Sequence, residues 1–176
     1  MMEAAASINR HMLTVDPPDH TRLRGLVHKA FTPRMIRQLE GRIQEITDSL
    51  IDRMQAKDQA DLIEDFAVPL PVTVIAELLG VPHEDQEKFR HWSQVIVLGG
   101  TTGGDFEAIS VAAIEFIMYF HELFDQRRAE PREDLITALV QTEEAGDQLD
   151  PQELISTVFL LLVAGHETTV NLIANG

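Results

Sequence analysis

The sequence predicts an all-α fold organised around one buried helix near its C-terminal end. Apolar residues recur at three- and four-residue spacing along most of the 176-residue chain, and no segment alternates convincingly as a strand. The stretch 158–164 is apolar on nearly every face. Such a helix belongs in a core or a membrane, and this run is shorter than the ~20 apolar residues that a bilayer needs. We therefore expect one unit, residues 1–176, with other helices packed around this one.

The composition is that of a globular protein in water. Hydrophobic residues make up 44% and charged residues 24% of the chain. The formal net charge of −15 disfavours nucleic-acid binding. No signal peptide or membrane anchor is visible, so we expect a cytoplasmic protein with no membrane partner. The absence of cysteine excludes disulfides and thiolate metal sites within this chain.

Helix boundaries follow from capping residues and apolar spacing. The stretch 16–19 starts a short helix, and Thr32-Pro33 ends it and caps a second, amphipathic helix that continues to Met54. Further helices are predicted at 72–79, 84–98, 105–129 and 131–140. Between them we predict an extended or irregular stretch at 61–65, a flexible loop at 99–104 and a turn at 143–147.

The central helix has a clear start signal. Asp150 is the predicted N-cap, Pro151 fits the first helical position, and Glu153 completes a capping box. These three residues predict that the helix begins at about residue 150 and runs into the apolar stretch.

Near the end of the central helix, small residues are followed at once by ionisable and hydroxyl side chains, in the order Ala164, Gly165, His166, Glu167, Thr168, Thr169. Polar groups in a buried helix need partners, so a notch beside a carboxylate and a hydroxyl is a candidate site. The alternative is a glycine kink at which Thr169 bonds back to the main chain. A zinc-protease helix is excluded, because it needs a second histidine where this chain has Val170.

Two motifs carry a family resemblance. Ala164-Gly-His-Glu-Thr-Thr169 resembles the oxygen-binding signature in the central helix of cytochrome P-450 monooxygenases. Asp16-Pro-Pro-Asp-His-Thr-Arg-Leu-Arg-Gly-Leu-Val27, followed by Lys29-Ala-Phe-Thr-Pro-Arg34, resembles the helix after the substrate loop in bacterial-type members. Within this block His20 and Arg24 are four residues apart on one helix face and can hold carboxylates. The alternative for this pair is an ordinary solvated basic face.

The resemblance implies a fold and a set of roles. The chain would be a single partial domain, the helical half of a cytochrome P-450 fold from its third to its central helix, with the sheet and the cysteine loop outside it. His20 and Arg24 would bind the haem propionates. Ala164 and Gly165 would leave room for haem and dioxygen, Thr168 would be the family's alcohol, and Glu167 would be the acid that relays protons.

The resemblance also implies an activity. This is the hydroxylation of a small organic substrate with O2 and haem. The electrons would come from a ferredoxin- or flavodoxin-like donor. Six basic residues between positions 22 and 42 could form a docking region for that donor. Plain solubility is the alternative for those residues.

The resemblance implies haem as the cofactor of the complete protein. This chain has no cysteine to bind iron, so we expect it to be inactive alone, and the sequence leaves open whether it binds haem. The competing function is a haem-free helical interaction or scaffold domain. A pocket wall is expected from six apolar residues, for which a plain core position is the alternative: Leu160, Val163, Met12, Leu13, Val97 and Leu98.

Overall fold

A computed structural model describes residues 8, 10–99, 103–144 and 146–176, and in this part of the chain the all-α prediction is confirmed. The α-helices described there are α1 Asp19–Ala30, α2 Pro33–Gln55, α3 Pro69–Leu79, α4 Gln86–Ser93, α5 Phe106–Ala129, α6 Leu135–Gln141 and α7 Pro151–Asn175. Shorter elements are a 3-10 turn, His83–Asp85, and two π-helical turns, Ile63–Ala67 and Gln94–Leu98. Two two-residue strands, β1 Glu143–Glu144 and β2 Asp147–Gln148, pair antiparallel.

The helix starts that the sequence marks with capping residues are confirmed. Thr32 caps α2 by accepting a hydrogen bond from the main-chain N–H of Met35. Asp150 caps α7 with both bonds of the capping box: its carboxylate accepts from Glu153 N at 2.8 Å, and Asp150 N donates to the Glu153 carboxylate at 3.0 Å. Three main-chain N–H groups at helix starts thus donate to side-chain oxygens of residues close in sequence.

The predicted start of the helix at 131–140 is wrong. The helix α6 begins at Leu135, because Asp134 is its N-cap and accepts from Thr137 N at 2.8 Å. Arg127 of α5 donates to the other oxygen of Asp134 at 2.5 Å and to the main-chain oxygen of Gly80 at 2.7 Å. This buried arginine therefore fixes the stretch before α6 in a non-helical path, against the local signal of a proline.

Three other predicted stretches differ in detail. The stretch 61–65, expected to be irregular, leads into a π-helical turn because the Asp61 carboxylate accepts from two N–H groups at its start, those of Ile63 and Glu64. The helix expected at 84–98 is divided into a 3-10 turn, α4 and a π-helical turn. The turn expected at 143–147 is part of the short β1–β2 hairpin. The loop at 99–104 lies partly outside the described residues.

The helix α7 packs into the core along one side and not all round. The side chains of Leu154, Val158 and Leu162 are fully buried, whereas Ala164 and Thr168 are exposed. Among the described residues, α7 is the one helix that is long and apolar enough to cross a membrane. The core helix of a soluble protein can have the same length and hydropathy.

Helices on the buried side hold α7 in place. Phe159 packs edge-on against Phe116 of α5 with ring centroids 6.1 Å apart, and the ring of Phe116 lies 4.6 Å from that of Phe120. At the other end, Arg22 of α1 donates to the buried carboxylate of Glu153 in the capping box. The start of α7 is thus tied to α1 and its middle to α5.

Candidate functional site

The predicted notch lies on the exposed side of α7. Ala164 and Thr168 are one turn apart, and both are exposed. The Thr168 hydroxyl donates to the main-chain oxygen of Ala164 at 2.5 Å. The back-bond that the sequence suggested for Thr169 is therefore found at Thr168. A hydroxyl that donates in this way keeps lone pairs that can accept a further hydrogen bond, so its oxygen is available to a group bound over the notch.

Gly165 faces the neighbouring helix α3, and its lack of a side chain makes close packing possible. A Cβ atom added there would lie 2.9 Å from Cδ1 of Ile75 in α3. The missing side chain thus lets α3 and α7 approach closely. On the exposed side of the helix, the residue at the notch is Ala164, whose side chain is a single methyl group.

His166 lies on the buried side of α7, a placement the sequence reasoning missed. It is 1% exposed, and its Nδ1 lies 2.9 Å from the Oγ of Ser93, the last residue of α4. Burial lowers the pKa of the imidazole, and the nearby Glu167 carboxylate partly opposes this shift. At ~100° per residue, positions 164 and 166 are on roughly opposite faces of a helix. That angle is the signal from which the placement could have been found.

Glu167 lies between these two faces. Its side chain is partly exposed, and within the described residues it forms no hydrogen bond or ion pair. A carboxylate next to the exposed hydroxyl of Thr168 and in contact with water can exchange protons with solvent. Glu167 is thus rotated by ~100° from Thr168, toward the buried side, and still reaches water.

The predicted pair on α1 lines an open cavity. His20 and Arg24 border a depression of about 370 Å³ together with Thr21, Gly25, His28 and Lys29. Arg24 is exposed and forms no ion pair with the residues that the structure describes. An unpaired guanidinium beside an imidazole and an ammonium group is suited to an anionic ligand such as a carboxylate.

Arg22, two residues earlier, has a different role. It donates to Asp147 at 3.2 Å as well as to Glu153, and these bonds raise the pKa of its guanidinium. The sequence treats Arg22 and Arg24 as parts of one basic region. The structure separates them into a residue that joins α1 to α7 and a residue that faces the open cavity.

The six residues expected to line a substrate pocket are dispersed. Leu160 and Val97 are buried, in agreement with the core alternative, while Met12 and Val163 pack against the core from partly exposed positions. Leu13 is 72% exposed. The side chain of Leu98 lies outside the described residues.

The residues present fit part of a haem site. The open cavity beside His20 and Arg24 offers cationic donors for propionates, and the exposed side of α7 offers a small residue and a hydroxyl. The chain contains no cysteine, and no group of three potential metal-binding side chains occurs in the described part. The cationic donors would suit propionates and the small residue would admit the ring, and the chain offers no thiolate for the iron.

Comparison with known proteins gives a consistent result, although no family model matches the chain. Cytochrome P-450 107B1 of Saccharopolyspora erythraea is 53% identical over 94% of this chain and 40% of its own length. A cytochrome P-450 of Bacillus subtilis is 49% identical over 99% of this chain and 43% of its own length.

Solved structures agree with these sequence matches. The cytochrome P-450 PksS of Bacillus subtilis superposes with a TM-score of 0.86 at 45% identity, covering 98% of this chain and 44% of that one. The mixed-function P-450 MycG gives a TM-score of 0.87 at 45% identity, covering 93% of this chain and 42% of that one. The chain thus spans less than half the length of the relatives it matches.

Proposed function

The chain belongs to the cytochrome P-450 family, and we propose that it forms the helical, oxygen-side region of a haem-dependent monooxygenase. The observation that carries this proposal is the exposed pair of the Thr168 hydroxyl and the Ala164 main-chain oxygen, 2.5 Å apart within the family's oxygen-binding motif. Haem, when bound in the complete enzyme, would supply the oxidation chemistry. The residues of this chain bind the ring and control the supply of protons.

Haem binding by this chain would use α1 and α7. The Arg24 guanidinium, exposed and without an ion pair among the described residues, is available for one propionate, and His20 lines the same cavity. The methyl group of Ala164 leaves the exposed side of α7 accessible to the flat face of the ring. The bond from Arg22 to Glu153 joins α1, which carries the donors, to the start of α7, which carries the notch.

Proton delivery would use Glu167 and Thr168. The Thr168 oxygen accepts a hydrogen bond from a water or a protonated oxygen over the notch while its own O–H continues to donate to the Ala164 carbonyl. The Glu167 carboxyl, partly exposed, takes a proton from solvent and passes it to that water. This pair therefore determines whether protons arrive in step with electrons.

His166 would be a positioning residue. Its buried bond with Ser93 joins α7 to α4 within the motif and sets the rotation of α7 about its own axis. That rotation directs Thr168 to the open side.

Substrate and partner are part of the same proposal. Relatives include a P-450 named for polyketide biosynthesis at 48% identity and a vitamin D(3) 25-hydroxylase at 43% identity. We therefore infer an apolar organic substrate, O2 as oxidant, and a soluble ferredoxin- or flavodoxin-like electron donor in the cytoplasm. Of the basic residues between positions 22 and 42, the exposed Arg34 and Arg37 of α2 have no other role in this proposal and would bind such an acidic donor.

A haem-free interaction domain is the second candidate, and the lack of cysteine favours it. One experiment separates the two. Residues 1–176 replace the matching segment of cytochrome P-450 107B1, and the reduced protein is treated with carbon monoxide. We expect a thiolate-type absorbance band from the chimera and none from the chain alone. A soluble, helical chimera that takes up no haem would overturn the proposed function.

A further inference from the structure

Two cavities meet on the side of the molecule formed by α2, α3 and α4. The larger has a volume of about 440 Å³, the smaller about 180 Å³, and both are lined by Leu50, Arg53 and Arg90. The larger is also lined by two hydroxyl residues, Ser49 of α2 and Thr73 of α3. Two guanidinium groups thus lie where the cavities join.

Arg90 has a buried donor without an acceptor. Among the described residues, Nε of Arg90 is the one buried side-chain nitrogen or oxygen atom that forms no hydrogen bond. Its only ion pair there joins Nη1 to the Glu87 carboxylate at 3.6 Å, and the Glu87 side chain is 81% exposed. Most buried polar groups in folded proteins are hydrogen-bonded, and an unsatisfied one indicates a missing partner.

The guanidinium of Arg53 also forms only long hydrogen bonds among the described residues. Its contacts are the main-chain oxygen and the hydroxyl of Ser49, each at 3.4 Å, and it forms no ion pair within the part of the chain that the structure describes. Two positively charged groups that border the same cavities repel each other unless an anion lies between them.

Of the three carboxylates around the larger cavity, Glu87 makes the 3.6 Å contact with Arg90, and the other two are bonded to Arg42. Glu77 receives two bonds from Arg42, at 2.7 and 2.8 Å, and Glu45 receives one at 2.6 Å. These bonds, first to Glu77 and then to Glu45, raise the pKa of Arg42. In the smaller cavity Asp65 is bonded to Lys57 at 2.6 Å, and Glu64 forms no ion pair with either guanidinium.

We propose that the larger cavity binds a phosphate group, through the guanidinium groups of Arg53 and Arg90 and the hydroxyls of Ser49 and Thr73. A guanidinium can give two parallel bonds to a phosphate, and two guanidiniums with two hydroxyls match an anion that has more acceptor oxygens than a carboxylate. The cavity extends beyond these donors, so the phosphate can be free or part of a small phosphomonoester. The site lies outside α1 and α7 and is independent of the proposed oxidation chemistry.

The test is a titration of the chain with inorganic phosphate at constant ionic strength, followed by thermal unfolding and by the phosphorus NMR shift. A ligand that binds only the folded state raises the unfolding temperature in a saturable way. Arg53→Gln, at an exposed position, should weaken phosphate binding about tenfold or more, because a charge-assisted hydrogen bond is lost. Arg90→Lys keeps the charge but removes the fork and should weaken it as well.

Arg128→Gln is the matched control. Arg128 is a surface arginine of α5 bonded to Asp125 at 2.8 Å, and its loss should leave the phosphate affinity unchanged. A parallel titration with ribose 5-phosphate tells the two sources apart: equal affinities identify the free anion as the ligand, and tighter binding of the ester assigns the rest of the cavity to the organic part. A phosphate effect no larger than that of chloride, or one that persists in Arg53→Gln, overturns the proposal.

Discussion

The two sides of α7 differ in what they contact. The buried side, which includes Leu162 and His166, contacts α3, α4 and α5, and its one imidazole has a partner in Ser93. The open side, which includes Ala164 and Thr168, is exposed and carries a hydroxyl directed at its own main chain. A single motif of six residues supplies both sides, because successive helical residues are rotated by ~100°. We therefore expect substitutions within one helix to separate stability from the proposed chemistry.

The largest expected effect on folding comes from the buried side. Leu162→Ala should lower the free energy of unfolding by about 2–5 kcal/mol, since Leu162 is fully buried and truncation leaves a cavity. Leu172→Ala, on the same helix but 75% exposed, should change it by less than about 0.5 kcal/mol. Urea denaturation of the chain followed by circular dichroism measures both. Equal losses in the two variants would show that α7 is not packed as described.

The bond between α4 and α7 should have a smaller effect. Ser93→Ala removes one partner of a buried hydrogen bond and should cost about 1–3 kcal/mol, because the His166 ring nitrogen is left unsatisfied. Thr169→Ala is a control on the same helix as His166. If Ser93→Ala is as stable as the parent chain, the 2.9 Å contact does not hold the two helices together.

The same pair predicts a pH dependence. The pKa of His166 is lowered below 6.5 in the folded chain, mainly by burial, so the unfolded chain binds the proton more readily. Stability should therefore be complete above about pH 6.5 and fall as the pH is lowered through that value toward the folded pKa. His166→Gln should flatten this decline. The pKa of His11 is also lowered, so the residual slope should fall further in the variant that also carries His11→Gln. An unchanged slope in His166→Gln contradicts the assignment.

How far the sequence predicts the structure depends on how distant the deciding partners are. The start of α7 was predicted correctly because Asp150 and Glu153, three residues apart, make the capping box by themselves. The start of α6 was predicted wrongly because two local start signals compete, Pro131 and the N-cap Asp134, and Arg127 on another helix holds Asp134. Local signals suffice where they agree, and a tertiary contact decides between them where they compete.

The candidate site follows the same rule. The motif fixes the rotation of Glu167 and Thr168 about the helix axis: Thr168 lies opposite His166, and Glu167 lies between them. The partner of His166 is 73 positions away in the chain, and no spacing in the sequence indicates it. Arg22 and Arg24 look alike in the sequence, and only the position of Glu153 shows which of them is used to join helices.

The central claim is that the open side of α7 controls proton delivery, and one measurement tests it most directly. In the chimera with cytochrome P-450 107B1, product formed per reductant consumed is compared for the parent, Thr168→Ala and Thr169→Ala. We predict that Thr168→Ala consumes reductant and oxygen while releasing peroxide in place of product, and that Thr169→Ala stays close to the parent. Product per reductant that is unchanged in Thr168→Ala would contradict the account.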